Sequence, residues 1–324
     1  MRSWWTNDPS DPQRPALTHP DVSALLHRIA PGAAVRDLGG NMSLNVHLPE
    51  TDRVVRVHRP WNAMRRIRGE QRLRMALIDI GWSTPRPLQI GGQAVVRCGS
   101  RLAELETYLP GEQPPATTAT YRWLFGEMGR LHRDLARLDP GLPRSLAANW
   151  APPGSLRRWL AVTSPALDVV SDGAVAAARL RHVVRHVRRC WIPPRALPRQ
   201  VIHGDFRPGN VVIDSSGRTV MYDWGFANVQ TRVHDLAYAA AFMVLALGGP
   251  QADRSLLDEL IACYEDTQGE TLLPAERAML PVDAAAVMVY ALAHAGYMAD
   301  PASALPLFLP FLNVAAWFLG EGAG

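Results

Sequence analysis

Apolar and polar positions alternate along the first third of the chain, and apolar positions then recur at helical spacing. Alternation with period two is typical of strands with one buried face, and recurrence every three to four residues is typical of amphipathic helices. Strands are predicted at residues 35–38, 44–48, 53–58, 88–90, 94–96 and 102–109. Helices are predicted at residues 21–29, 61–80, 117–138, 156–170, 174–191, 234–247, 253–265, 274–298 and 304–319.

These elements divide the chain into a small strand-containing part and a larger helical part. The change falls near residues 109–115, where three prolines and a glycine cluster. Strands followed by a run of helices are typical of an α+β fold. We therefore predict two domains, residues 1–109 with a sheet, a helix and an N-terminal tail, and residues 110–324 with most of the helices.

Composition supports a large core and argues against a membrane partner. The chain has 324 residues, of which 48% are hydrophobic, and this is enough to bury a full core. The longest apolar runs are residues 236–247 and 304–319. The first is too short to span a bilayer, and Pro306 and Pro310 interrupt the second as an apolar run.

Cysteine content and net charge further restrict the classes of protein to which the chain can belong. Cys98, Cys190 and Cys263 are odd in number and far apart, which indicates neither a disulfide framework nor a metal site and fits the cytoplasm. A net charge of +4 is too small to indicate nucleic acid as a partner. All 34 basic residues are arginine, so any role that usually falls to lysine must fall to arginine or be absent.

The predicted helix at residues 174–191 carries a basic stripe whose meaning stays open. Its basic residues are Arg179, Arg181, His182, Arg185, His186, Arg188 and Arg189. Such a stripe is either a solvated face with packed side-chain stems or a contact for RNA or an anionic substrate. No aromatic series accompanies it for base stacking, so the solvated face is the favoured interpretation.

Residues 203–210 read His-Gly-Asp-Phe-Arg-Pro-Gly-Asn, and Asp223 ends the next strand-like segment. Phosphoryl transfer from a nucleotide needs such a set. We expect Asp205 to accept the proton of a substrate hydroxyl, and Asn210 and Asp223 to hold Mg²⁺ through hard oxygen ligands. A lone His-Gly-Asp would instead indicate a turn aspartate capping Gly204, but the full spacing favours the catalytic interpretation.

This pattern resembles the aminoglycoside phosphotransferase and choline kinase-like family, small-molecule relatives of the protein kinases. The resemblance extends over about residues 35 to 245. It is carried by His203-Gly204-Asp205, Asn210, Asp223-Trp224, Leu131-His132, Leu105 to Gly111 and Asp235-Leu236-Ala237.

The resemblance implies a protein kinase-like two-lobed fold, with the catalytic loop and acceptor pocket in the larger lobe. It also implies ATP or GTP, Mg²⁺, and a small-molecule hydroxyl acceptor. The sequence leaves a monomer and a homodimer equally open. His203 would brace the catalytic loop and Asp235 would stabilise it. The backbone around Glu106 and Tyr108 would meet the adenine.

The acceptor that we expect is an antibiotic, so that the protein would confer resistance or self-protection. A sugar, choline or homoserine is the alternative acceptor. A further alternative is a catalytically inactive nucleotide-binding scaffold, because two nucleotide-binding features depart from the family pattern.

The first departure is Arg56, which stands where the family often has a phosphate-binding lysine. Arginine can hold phosphate oxygens bidentately, and Glu70 is its candidate partner on the following helix. The alternatives are an exposed edge-strand arginine, and a Glu70 on a solvated helix face that contacts Arg66 and Arg74.

The second departure is the glycine loop. Residues 39–45 read Gly-Gly-Asn-Met-Ser-Leu-Asn rather than G-x-G-x-x-G. Gly40 would allow close backbone approach to phosphate, and Ser43 could donate a hydrogen bond to it. A tight hairpin without a ligand is the alternative.

Overall fold

The computed structural model describes residues 14–40, 43–60, 62–143, 153–168, 170–249, 252–296 and 300–320, with the backbone alone at residues 159 and 294. Most of the predicted N-terminal tail, and residues 41 and 42 of the glycine loop, lie outside these ranges. The described residues form two compact units.

The strands are β1 (Arg36–Asp37), β2 (Leu44–Leu48), β3 (Arg53–Val57), β4 (Pro87–Leu88), β5 (Val96–Cys98), β6 (Arg101–Thr107), β7 (Arg199–Ile202), β8 (Val211–Ile213), β9 (Thr219–Met221) and β10 (Asn228–Thr231). The helices are α1 (Pro20–Ile29), α2 (Met64–Asp79), α3 (Thr118–Leu135), α4 (Pro153–Leu167), α5 (Gly173–Cys190), α6 (Arg232–Ala246), α7 (Ser255–Gln268), α8 (Pro274–Ala295) and α9 (Pro301–Phe318).

The first unit contains the described residues within Met1–Gln113, Asp139–Leu146 and Val211–Tyr222. Its sheet is antiparallel in the order β1-β2-β3-β6-β4, with β5 also paired to β6, and β8 and β9 form a separate hairpin. Alternate residues of the central strands, together with α1, make an apolar core. These core residues include Val22, Leu25, Leu44, Val46, Val55, Val57, Ala103 and Leu105.

The same alternation places Glu104 and Glu106 of β6 on the opposite face of the sheet. Both glutamates are buried, and they bond to residues of α2. The helix combines a buried apolar stripe with buried Arg66, Glu70 and Arg74. Because an unpaired charge is costly to bury, this layer depends on complete ion pairing.

The second unit contains the described residues within Pro114–Leu138, Ala147–Asn210 and Asp223–Gly324. Its helices bury leucines, valines and alanines, and each fully buried leucine contributes about 1.5–3 kcal/mol of hydrophobic stabilisation. Helix α3 packs on α7, and α8 packs on α6 and α9. Strands β7 and β10 pair antiparallel, with Ile202 opposite Asn228.

The helix predicted at residues 304–319 is present as α9, although two prolines lie inside it. Helix α9 continues through Pro306 and Pro310 and packs against α8. Each proline removes one backbone hydrogen bond, but burial of residues such as Phe308 and Leu312 compensates. By length and composition alone, α9 is the one described helix that could cross a membrane, and 56% of it is buried inside the protein, as in many core helices.

The predicted α+β fold class is confirmed, with boundaries that move by a few residues. The predicted strand at residues 94–96 lies at Val96–Cys98, and the predicted helix at 61–80 begins at Met64. Strand β10 was not predicted, because its sequence Asn-Val-Gln-Thr is too polar and short to show alternation.

Candidate active site

The loop that carries the His-Gly-Asp motif follows directly from strand β7. Val201 and Ile202 are buried and anchor the start of the loop. A 3₁₀ turn at Pro208–Asn210 then leads into β8. The loop is therefore attached at its start to buried strand backbone.

Asp235, near the start of α6, holds this loop in place. Its carboxylate accepts the backbone N–H of His203 at 2.8 Å and that of Gly204 at 2.7 Å. Its Oδ2 also lies 3.1 Å from Nε2 of His132 in α3. Burial alone would raise the pKa of Asp235, but the hydrogen bond and charge of His132 hold that pKa below its ordinary value.

Gly204 has a backbone conformation that suits glycine alone. Its φ is +79°, and a Cβ at this position would overlap the carbonyl group of Phe226. The next residue is held by His203, whose Nδ1 accepts the backbone N–H of Asp205 at 3.3 Å. The His203 ring packs against Trp224 and Phe206, with centroids 4.5 Å and 5.6 Å away.

Asp205 is buried, and both of its carboxylate oxygens have partners. Its Oδ1 accepts from Nε of Arg207 at 3.0 Å, and its Oδ2 accepts from Nδ2 of Asn210 at 2.8 Å. Burial raises the pKa of Asp205, and the charge of Asp223 adds to that rise, whereas Arg207 opposes it. A carboxylate with a raised pKa is better matched to accepting a proton at neutral pH.

Asn210 and Asp223 offer oxygen ligands close to this carboxylate. The Asn210 amide nitrogen is bonded to Asp205, and no described residue donates to its Oδ1. Asp223 takes a left-handed conformation with φ of +57° and lies close enough to raise the pKa of Asp205. The structure therefore brings Asp205, Asn210 and Asp223 together.

The donor set fits Mg²⁺ that is held jointly with phosphates. Within the described residues, no group of three or more His, Cys, Asp or Glu side chains could hold a metal ion. One amide oxygen and one carboxylate make too few ligands for a protein cage, but Mg²⁺ characteristically binds few protein groups and completes its octahedron with phosphates and water.

Arg207 and Tyr238 belong to this group, and the sequence reasoning missed both. The charge of Asp205 raises the pKa of Arg207, and Tyr238 of α6 lies close enough to Asp205 for each to affect the pKa of the other. Burial raises the pKa of Tyr238 well above its ordinary value. The H-G-D-x-x-x-x-N pattern does not specify the residue at the position of Arg207, and Tyr238 could have been found only from its spacing of three residues after Asp235.

In the first unit, Arg56 lies within electrostatic reach of several buried acids. It is half-buried in β3, opposite Glu104 of β6, and its charge lowers the pKa of Glu104 and of Glu70. Glu70 is buried, with Nε of Arg66 2.6 Å from its Oε1, so it does not lie on a solvated face. Burial leaves the pKa of Glu70 above its ordinary value.

Arg74 contacts strand β6 and not Glu70. It bonds to both Glu104 and Glu106, which lie two residues apart on one face of the sheet. Burial would raise the pKa of Glu104, but Arg74 and His58 hold that pKa far below its ordinary value. The pKa of Glu106 is raised by burial.

Tyr108 follows β6, and its polar groups are bonded within the first unit. Its backbone N–H donates to the carbonyl of Asp52 at 2.8 Å, and its hydroxyl accepts from Arg36 at 3.3 Å. Its ring lies 3.9 Å from that of His47. Any adenine contact in this segment must therefore use other backbone groups.

The glycine loop is partly described. Gly40 has φ of +113°, and a Cβ there would lie 2.7 Å from Nδ2 of Asn45 and from the carbonyl oxygen of Ser43. Ser43 is buried at the start of β2, whereas Asn41 and Met42 lie outside the described residues. The carboxylate of Asp37 accepts from the N–H of Gly39 at 2.8 Å and pairs with Arg14.

The sequence of this chain is similar to those of known kinases. The chain is 31% identical over 212 residues to a homoserine kinase from Gluconacetobacter diazotrophicus, covering 64% of this chain and 63% of that protein. It therefore spans less than two thirds of this relative's length.

Solved structures share the fold. A microcompartment-associated aminopropanol kinase superposes with a TM-score of 0.71 at 20% identity, covering 91% of this chain and 94% of the other. An amicoumacin kinase in complex with AMP-PNP and Ca²⁺ superposes with a TM-score of 0.61 at 15% identity, covering 86% of this chain and 87% of the other. These likenesses confirm the predicted protein kinase-like fold.

Residues 35–274 match the family described as the phosphotransferase enzyme family. The match includes the sheet of the first unit, the His-Gly-Asp loop and α6. It confirms the resemblance that the motifs indicated and, at the level of the family, the predicted phosphotransferase class. The chain therefore belongs to the phosphotransferase enzyme family.

Proposed function

We propose that this protein is a small-molecule kinase that transfers the terminal phosphoryl group of ATP or GTP to a hydroxyl. The observation that carries the proposal is the group around Asp205. This buried carboxylate has a raised pKa, is held by Asn210 and Arg207, and lies close to Asp223. Family membership limits the reaction to phosphoryl transfer.

In the proposed reaction, Asp205 takes the proton of the acceptor hydroxyl. The hydroxyl oxygen forms a bond to the terminal phosphorus, and the bond from that phosphorus to the bridging oxygen breaks. The products are a phosphate ester and ADP or GDP. The protein forms no covalent bond, so its contribution is to position the reactants and to compensate charge.

The metal ligands in this proposal are Oδ1 of Asn210 and the carboxylate of Asp223. Bound Mg²⁺ would neutralise charge on the phosphate oxygens. The amide nitrogen of Asn210 is bonded to Asp205, so its amide oxygen remains available as a metal ligand.

The first unit is the proposed nucleotide-binding part. Arg56 would bind the phosphates, since its guanidinium can bond two phosphate oxygens. The charge of Glu70 would interact with that of Arg56. Gly40 would let the backbone approach phosphate, and Ser43 would donate to it. The adenine would meet backbone between residues 105 and 111, the segment that contains Glu106 and Tyr108.

For the acceptor, we propose a small hydroxylated amine. The homoserine kinase of G. diazotrophicus and the solved aminopropanol kinase support this class, because both names specify a small amino alcohol. The expected antibiotic acceptor is the second candidate, and the likeness to an amicoumacin kinase supports it.

Coupled release of ADP and GDP with Mg²⁺ tests the proposal. The acceptor panel is homoserine, aminopropanol, choline, simple sugars, aminoglycosides and amicoumacin. Asp205→Asn should lower kcat by roughly a hundredfold or more, the scale of a lost general base. Asp214→Asn is the matched control, because among the residues that the structure describes the Asp214 side chain bonds to Ser216 and Arg218 of its own turn.

Acceptor-dependent release that is lost in Asp205→Asn and kept in Asp214→Asn would support the proposal and identify the acceptor class. An unchanged kcat in Asp205→Asn would refute the assignment of the base. Nucleotide binding without release on any acceptor would favour the scaffold alternative.

A further inference from the structure

The guanidinium of Arg207 has one occupied edge and one unoccupied edge. Its Nε donates to Oδ1 of Asp205 at 3.0 Å. Among the residues that the structure describes, no acceptor bonds to its Nη1 or Nη2. Four N–H donors are therefore unassigned next to the proposed base.

The position of this edge is well defined. Phe206 and Pro208, on either side of Arg207, are both buried. The guanidinium carbon lies 6.0 Å from the ring centroid of Phe242 on α6, which adds a cation–π contact. The Arg207 side chain is 35% exposed against 5% for Asp205, so a ligand that reaches the carboxylate can also reach the arginine.

The positive charge of this edge favours an anionic ligand. Asp205 satisfies one donor of Arg207, and the guanidinium stays protonated at any working pH. Its planar fork matches two oxygens of a carboxylate or a phosphate, and such charge-assisted pairs are the strong ones. Water can solvate the edge, but an oxyanion would gain more from it.

We propose that the Nη edge of Arg207 is an oxyanion-binding subsite beside Asp205. Its ligand is either the phosphoryl group in transfer or a carboxylate of the acceptor. The inference rests on the proposed function, because that reaction brings both ligands to Asp205.

The subsite bears on which acceptors the protein can take. Arg207 packs on α6, and α6 has no acidic residue after Asp235. A polycationic acceptor would therefore meet a fixed positive charge there without a compensating carboxylate from that helix. A small amino alcohol, with or without a carboxylate, avoids this repulsion.

The test measures ligand-induced shifts in Tm, and isothermal titration, for wild type, Arg207→Gln and Arg207→Lys. Arg122→Gln is the matched control, because within the described part of the chain the Arg122 side chain forms an exposed ion pair with Glu259. Fluoroaluminate added to protein with Mg·ADP represents the phosphoryl group in transfer. Acetate and homoserine, added with Mg·AMP-PNP, represent an acceptor carboxylate, and aminopropanol is the carboxylate-free comparison.

We expect Arg207→Gln to bind one of these oxyanions roughly tenfold more weakly or worse, the scale of a charge-assisted hydrogen bond, while binding of Mg·ADP is unchanged. Arg207→Lys should recover part of the loss. Weakening limited to fluoroaluminate identifies the phosphoryl group, and weakening limited to acetate and homoserine identifies an acceptor carboxylate.

Equal responses of wild type and Arg207→Gln to every anion would overturn the subsite, as would a wild type that responds to none. Absence of Mg·ADP binding by wild type would count against the proposed kinase function instead. In that case, binding of orthophosphate without nucleotide is the test of Arg207. Weaker binding by Arg207→Gln than by wild type would support the subsite, and equal binding would overturn it. Arg207→Lys, which keeps the charge beside Asp205, guards against a loss that merely reflects misfolding of Arg207→Gln.

Discussion

At the residue scale, one buried carboxylate organises the loop that carries the His-Gly-Asp motif. Asp235 accepts two consecutive backbone N–H groups and a histidine N–H, so donors that burial would otherwise leave unsatisfied are paired. This arrangement requires the chain to turn at Gly204 with a positive φ. The geometry of Asp205 therefore depends on a residue that has no side chain.

Gly204 and Gly217 form a matched pair for testing this dependence. Both have φ of +79°, but only at Gly204 would a Cβ overlap other atoms, the carbonyl group of Phe226. Gly217→Ala should cost about 1–2 kcal/mol from its left-handed conformation alone. Gly204→Ala should cost more and should also lower kcat, because the loop must shift.

Urea unfolding and coupled turnover on both variants provide the measurement. Equal losses of stability, with kcat retained in Gly204→Ala, would show that the close packing against Phe226 does not position Asp205.

The sequence predicted the polar motif residues but not what contacts them. Spacing within one segment indicated Asp205, Asn210 and Asp223 as a group. Arg207 and Tyr238 could not be inferred in the same way, because their roles depend on side-chain direction and on helix α6 returning to the loop. Such contacts become visible only when the packing is known.

At the element scale, the close approach of α3 and α7 depends on one of two glycines in α3. A Cβ at Gly129 would overlap the Thr267 side chain and the carbonyl of Tyr264, whereas a Cβ at Gly126 would lie 3.7 Å from Thr267. Gly126→Ala should stabilise the protein by about 0.5–1 kcal/mol through helix propensity. Gly129→Ala should destabilise it by about 1–3 kcal/mol through overpacking.

Chemical denaturation of the two variants tests whether the substitutions change the unfolding free energy in opposite directions. Stabilisation by both substitutions would mean that α7 yields readily and that Gly129 does not set the distance between the helices.

Helices α6 and α8 are joined by a buried pair that should make stability depend on pH. Nδ1 of His234 lies 3.2 Å from Asp283, and Asp235 and Tyr238 are the other ionisable groups facing it. Burial would lower the pKa of His234, but Asp283 and Asp235 leave it raised. Stability from this pair is therefore full below the unfolded-state pKa of about 6.5 and is lost as pH rises through the folded-state pKa.

The measurement is the unfolding free energy of wild type and His234→Gln from pH 6 to pH 9. The wild type should lose stability relative to the variant as pH rises, by at most about 1.4 kcal/mol per pH unit. His19→Gln, at an exposed helix cap, is the control. Parallel curves for wild type and His234→Gln would contradict the prediction.

Element types were easier to predict than element ends or interruptions. Strong periodicity identified α3, and the apolar pattern identified α9 despite its two internal prolines, because tertiary packing outweighs the lost hydrogen bonds. Strand β10 has no apolar pattern in its sequence. It is a strand because its backbone pairs with β7. Local pattern predicts burial, and it cannot predict which distant backbone will supply a hydrogen bond.

At the scale of the whole molecule, the motif order was enough to predict the family and fold class. The composition of the polar face of the sheet was not predictable, because Glu104 and Glu106 read as ordinary strand residues. Their burial depends on Arg74 of α2, which pairs with both of them. Charged residues in a strand become a buried ion-pair layer only through pairing across elements.

The absence of lysine makes a last prediction about the whole chain. A kinase that relies on lysine for phosphate binding is inactivated by amine-acylating reagents, but all 34 basic residues here are arginine. Amine acylation should therefore leave turnover nearly unchanged. Phenylglyoxal, which modifies guanidinium groups, should abolish turnover. Mg·ATP should slow the loss, since the proposed phosphate-binding residue Arg56 would then be covered. Mass spectrometry of modified peptides would show whether protection falls on Arg56. Protection limited to exposed arginines such as Arg122 would contradict the assignment of phosphate binding to arginine, because the nucleotide would then be acting at a different surface.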